Sequence, residues 1–248
     1  MTKKCLYFHN GGFYAMPHFI GAINEVLRKK RRNYNYYGNS AGASWALVCY
    51  LILNGHLSFE LLNPELERVF SKRRPISSIL TPIYCDLIDV MIPYWPADLA
   101  KRVSGILHIG VSTRNGHQFV NQFDTNADLY NALLCSATIS LCSNYESVID
   151  DEVCLDGGYT FLPEHLPENT LIIASGVRVP LSLTCPPSFI CPFLEENGRK
   201  NVLNGLEQPL VLHELGQTGM EWMLYLHSLT TKDPNWSKHI ANMTQVHR

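Results

Sequence analysis

The stretch YYGNSAGASW, residues 36–45, sets one serine between two glycines, Gly38-Asn39-Ser40-Ala41-Gly42. A G-x-S-x-G string arises by chance in roughly one chain in ten of this length, so its surroundings must decide its meaning. Before it, residues 35–37 read as a short strand. After it, the very apolar run 43–53 reads as a helix, with Gly55 suited to its end. A serine on such a strand-to-helix turn projects its hydroxyl. Small neighbours let the backbones approach, and the helix N-terminus favours negative charge. The plainer reading makes Ser40 a helix N-cap.

Working outward, residues 4–8 read as a first strand and 9–13 as a glycine turn. Residues 14–30 read as a helix with Phe19, Ile23, Val26 and Leu27 at helical spacing and Pro17 near its start. Strand, loop, helix, strand, turn and helix in that order predict a parallel α/β layer arrangement. Gly11 and Gly12 fall where a helix begins. There two bare backbone amides can face a developing oxyanion. An ordinary β–α turn is the alternative. A phosphate loop is set aside because neither G-x-G-x-x-G nor G-K-[ST] is present. Downstream, the strand 152–155 runs into Asp156-Gly157-Gly158, a turn that can aim a carboxylate into a cleft or simply close a hairpin.

The middle of the chain reads as helices at 57–71 and 76–92, broken by Pro64, Pro75 and Pro82, with a loop at Pro93 and Pro96. A strand at 107–113, an Asn115-Gly116 turn and a return at 118–123 form a hairpin. A helix at 124–136, a strand at 170–174, an irregular stretch at 180–191 and an amphipathic helix at 214–230 complete the reading. With no repeat or linker, the 248 residues are expected to form one domain.

The net charge of −2 gives no general drive towards nucleic acid. No apolar run approaches a membrane span or a signal-peptide core, so a cytoplasmic protein is expected. The eight cysteines lack a C-x-x-C pair and read as reduced thiols, and neither a metal nor a cofactor is expected. The basic run at residues 28–32 reads as a solvated helix end, with contact to anionic headgroups or a nuclear address as alternatives.

Three motifs in one order, glycine loop, G-x-S-x-G and D-G-G, make chance a poor explanation. Over residues 5–163 the chain resembles the patatin-like phospholipase family, in its adipose triglyceride lipase and adiponutrin branch. YFHNGGFYAMPH resembles that branch's oxyanion segment, and YYGNSAGASWAL its nucleophile turn. VSTRNGHQFVNQFDTNADLYNALLCSATIS is similar to its strand, hairpin and helix, and VCLDGGYTFLP to its aspartate turn. The resemblance implies a three-layer α/β/α sandwich with a mainly parallel sheet, which residues 164–248 complete. It implies a lipid acyl hydrolase with a serine–aspartate dyad and no histidine. Ser40 would be the nucleophile and Asp156 the base. Gly11 and Gly12 would be oxyanion donors, with the Ala41 N–H added by elbow geometry. Gly38, Gly42, Gly157 and Gly158 would shape the turns. The implied partner is a phospholipid or acylglycerol ester, met at a membrane or lipid-droplet surface. Asn10 stands where that branch carries glycine, Ser140 where it has proline, and Phe161-Leu162 where a polar pair follows D-G-G.

Two rival readings remain. An α/β-hydrolase triad could draw its histidine from His165, His213 or His227, although that fold places several strands before its elbow. A patatin-like scaffold of weak or no activity would instead bind lipid or a protein partner.

Overall fold

The structure is a computed structural model that describes residues 4–10, 16–29, 33–71, 80–138, 148–149, 151–168, 170–174, 196 and 199–200. β1 (Lys4–Phe8) is followed by α1 (Met16–Arg28), β2 (Tyr34–Asn39) and α2 (Ala41–Leu53). Next come α3 (Phe59–Ser71), α4 (Leu80–Asp89), a 3₁₀ turn (Ile92–Tyr94) and α5 (Leu99–Val103). β3 (Leu107–Thr113), β4 (Gly116–Val120) and α6 (Asn126–Ser136) follow. β5 (Val148–Ile149), β6 (Glu152–Val153), β7 (Leu155–Asp156), a 3₁₀ turn (Pro163–His165) and β8 (Thr170–Ile173) end the described chain.

The central sheet has the order β4-β3-β2-β1-β8. β1, β2, β3 and β8 are parallel, and β4 runs antiparallel at one edge. The protein is therefore α/β, with a mixed, mostly parallel sheet flanked by helices. The successive crossovers β1-α1-β2 and β2-α2-β3 step in one direction. Right-handed connections then put their helices on one face. Side chains from α1 to α6 accordingly share one core with Leu6, Phe8, Tyr36, Leu107 and Ile109 of the sheet. The other face carries a smaller cluster, Cys5, Tyr7, Tyr37, Phe161 and Ala174. The readings at 180–191 and 214–230 lie outside the described residues.

All thirteen residues of α2 are buried. Its C-terminus closes as the glycine implied: Gly55 has φ 75, its N–H reaches Ile52 O at 3.0 Å, and His56 N–H reaches Leu51 O at 2.9 Å. The expected break at Pro64 is corrected, because α3 runs through it. The carbonyl that loses its donor is that of Glu60, and both residues are exposed, so water can serve it. Pro82 sits in the first turn of α4, where a missing N–H costs nothing. α6 starts two residues later than expected, since Thr125 and Asp128 form a reciprocal capping box. The return strand of the hairpin starts at Gly116 and ends at Val120 rather than spanning 118–123.

The expected strand 152–155 divides in two. β6 pairs with β5, whereas β7 leaves that ribbon and pairs antiparallel with β3, Val111 opposite Asp156. At Val111 and Ser112 the other edge of β3 is taken by β4. β7 therefore extends the edge that β2 occupies as far as Gly110. This single topological fact carries Asp156 to the point where β2 stops and Ser40 begins.

Candidate active site

Ser40 turns the chain from β2 into α2 with φ 54 and ψ −132. A non-glycine residue there is strained by about 1–3 kcal/mol and persists only where its surroundings over-determine it. They do so at both of its peptide groups. The Ser40 N–H donates to Ser136 Oγ at 2.9 Å, and Ser136 Oγ donates in turn to Gly110 O at 2.7 Å. The Ser40 carbonyl accepts from Tyr84 Oη at 2.6 Å and from Ala43 N–H at 3.0 Å. Ser40 makes no side-chain cap bond to α2, which removes the plain N-cap reading.

The flanking glycines are required by contact. A Cβ on Gly38 would collide with the carbonyl of Gly42, and one on Gly42 with the carbonyl oxygen of Phe8. β1, β2 and the start of α2 thus meet backbone to backbone, which explains the small residues around the serine.

The Ser40 side chain lies beside the Asp156 carboxyl and favours its charged form. Asp156 is 3% exposed, and its Oδ1 accepts from Gly158 N–H at 2.8 Å. Burial raises its carboxyl from 3.8 to about 6, against the opposing pull of the Ser40 side chain and the Gly158 N–H. The aspartate turn is pinned from several sides. Asp156 N–H donates to Thr138 O at 2.9 Å and Gly157 N–H to Ser136 O at 3.1 Å. Ser112 Oγ donates to Asp156 O at 2.8 Å. A side chain on Gly157 would strike the carbonyl oxygen of Gly110, and one on Gly158 the Asn10 amide.

Among the proposed oxyanion donors, Gly11 and Gly12 lie outside the described residues. Ala41 is the first residue of α2, where an N–H has no partner four residues back. Ala41 also borders a narrow, partly open apolar pocket whose walls include Met16, Trp45, Leu66, Tyr84 and Met91. The site therefore joins a hydroxyl, a buried carboxyl and an apolar pocket within one neighbourhood.

Behind the pair lies a polar chain. Asn39 Nδ2 donates to Tyr7 Oη at 3.0 Å, and Tyr7 Oη lies 3.1 Å from His9 Nδ1. Burial lowers His9 to about 4, so the ring is neutral at physiological pH. Of the candidate histidines, His165 accepts from Leu162 N–H at 3.0 Å and stacks on His117 with ring centroids 4.8 Å apart. His213 and His227 lie outside the described residues.

Tyr84 and Ser136 were not singled out in the sequence. Tyr84 sits in a helix without a motif. Ser136 belongs to the LLCSATIS segment, but nothing local tells that its hydroxyl faces the elbow. Among the described residues no group of three or more His, Cys, Asp or Glu side chains gathers as a metal site. The five described cysteines, Cys5, Cys49, Cys85, Cys135 and Cys154, are unbridged. Among the described residues no helix is long and apolar enough to cross a membrane. No family model and no curated protein matches the chain.

Proposed function

We propose that this chain is a patatin-like acyl hydrolase acting on lipid esters through Ser40 and Asp156. The observation that carries the reading is a strained, strand-to-helix serine set beside a buried carboxyl raised to about 6. An aspartate at its ordinary value near 4 would be a poor base. Raised towards neutrality, it retains the ionised form at pH 7 and gains basicity. As Ser40 Oγ attacks the ester carbon, its proton passes to Asp156. The carbonyl oxygen takes the negative charge at the N-terminus of α2, facing the Ala41 N–H and, in this reading, Gly11 and Gly12. Collapse returns the proton from Asp156 to the departing alcohol and leaves an acyl-serine. Water then repeats the sequence and frees the acid. The pocket beside Ala41 supplies an apolar lining for the acyl chain.

The experiment is an ester assay on the purified protein with p-nitrophenyl acyl esters, paired with labelling by a fluorophosphonate. Turnover is expected, with the label on Ser40. The rate should lose its base as pH falls through about 6 and reach a plateau above it. A folded protein that neither hydrolyses nor labels would instead be the binding scaffold. A rate unchanged down to pH 4 would remove Asp156 as the base.

A further inference from the structure

Tyr84 belongs both to the elbow and to the pocket. Its hydroxyl donates to the Ser40 carbonyl at 2.6 Å and lies 3.2 Å from Ser44 Oγ. Its phenol is committed to the Ser40 bond, so Ser44 is the donor of that second pair. Tyr84 is 7% exposed, and its side chain lines the cavity that Ala41, Trp45 and Met91 also border. It comes from α4, forty-four residues beyond the serine. A bond between a buried hydroxyl and a strained peptide is more than filling. The carbonyl it holds belongs to the residue whose φ and ψ aim the nucleophile.

We propose that Tyr84 is a positioning residue that makes the aim of Ser40 depend on what fills the pocket. This rests on the acyl-hydrolase reading above. An acyl chain in the pocket packs against the Tyr84 ring and fixes its hydroxyl on the Ser40 carbonyl. A short chain leaves the ring room to move. Misplacing a reacting atom by about 1 Å can cost a hundredfold in rate. Chain length should therefore register in kcat as well as KM, because energy from a remote contact is realised at the reacting centre. Burial pushes the phenol well above its ordinary value, so it remains a neutral donor at any working pH.

The test is a p-nitrophenyl ester series from four to sixteen carbons on the wild type and on Tyr84→Phe. This variant keeps the ring and deletes the hydroxyl. The wild type should show kcat rising with chain length while KM falls. Tyr84→Phe should keep the fall in KM, since the wall is intact. Its kcat should drop roughly tenfold on long chains and lose its dependence on length. Wild-type kcat at every length in a folded Tyr84→Phe would overturn the proposal. So would an equal loss of kcat at all lengths with the wild-type slope retained, since that marks a purely structural role. Should Tyr84→Phe not fold, the reading passes to wild-type inactivation by alkyl fluorophosphonates. The maximal rate should rise with alkyl length, and a flat maximal rate overturns the coupling. A wild type that neither hydrolyses nor labels overturns the underlying reaction. An active wild type with length-independent kcat overturns only the role of Tyr84.

Discussion

Asp156→Asn should reduce ester hydrolysis to the level of Ser40→Ala, a loss of a thousandfold or more, while making the protein more stable at pH 8. The two effects have one origin. The folded state raises this carboxyl from 3.8 to about 6 by burying it. Holding its charged form therefore costs about 3 kcal/mol at neutral pH. Because the folded pKa is the higher one, the folded state binds the extra proton between about pH 4 and 6. The favourable contribution is full below the unfolded pKa and is lost as pH rises through about 6. Asparagine removes the charge and keeps an oxygen for the Gly158 N–H. Its stabilisation, on the order of 1–2 kcal/mol once relaxation is allowed for, should appear above pH 6 and fade towards pH 4. Thermal melts at pH 4.5 and 8 measure this beside the ester assay. His165→Ala is the control, since that ring is engaged by Leu162 and His117. Loss of activity in a folded His165→Ala equal to that in Ser40→Ala would replace the dyad with a triad. A destabilised Asp156→Asn at pH 8 would show that the buried charge is compensated.

How far the site was legible depends on how local its causes are. Ser40 and its two glycines announce themselves because strand, turn and helix are adjacent in sequence, and the close approach of backbones admits no Cβ. Residues 4–8 and 107–113 were readable as strands for a similar reason, being short apolar runs bounded by turn residues. Asp156 was legible as an acid in a glycine turn, but the strand before it, 152–155, was drawn as one where the chain makes two, the second ending on Asp156 itself. Whether residue 154 ends one ribbon or begins another depends on β3 having a vacant edge beyond Gly110. No local pattern reports that. The same limit hid Tyr84 and Ser136, whose hydroxyls meet Ser40 across separations of 44 and 96 residues. α5 was missed because five residues carry too little periodicity. At Pro64 the local rule pointed the wrong way, since exposure of Glu60 relieves the usual penalty.

Gly42→Ala is expected to cost about 3 kcal/mol or more and to abolish hydrolysis in whatever fraction folds. The added methyl would meet the carbonyl oxygen of Phe8, with Phe8 C at 2.7 Å and His9 O at 2.8 Å. None of these atoms is a side-chain end that can swing aside. Phe8 is paired on both edges, with Gly38 of β2 and Ile173 of β8, and His9 N–H is bonded to Ile173 O at 3.0 Å. β1 is thus fixed from both neighbours, so α2 must move. α2 is buried along its whole length, and moving it away from β1 breaks the packing around Phe19, Trp45 and Leu47. It also carries Ser40 away from Asp156, whose turn is held independently by Ser112, Ser136 and Thr138. Gly55→Ala supplies the contrast at the other end of the same helix. A methyl there meets nothing within 4 Å, but φ of 75 makes a side chain unfavourable by roughly 1–2 kcal/mol. That penalty stays at the helix end, so Gly55→Ala should melt earlier and keep its specific activity. Urea melts and rates normalised to folded protein separate the two cases. Native stability and native turnover in Gly42→Ala would mean that the elbow does not rest on β1 as described. Equal losses of specific activity in both variants would mean that general loosening of α2, rather than the contact at Phe8, governs the serine.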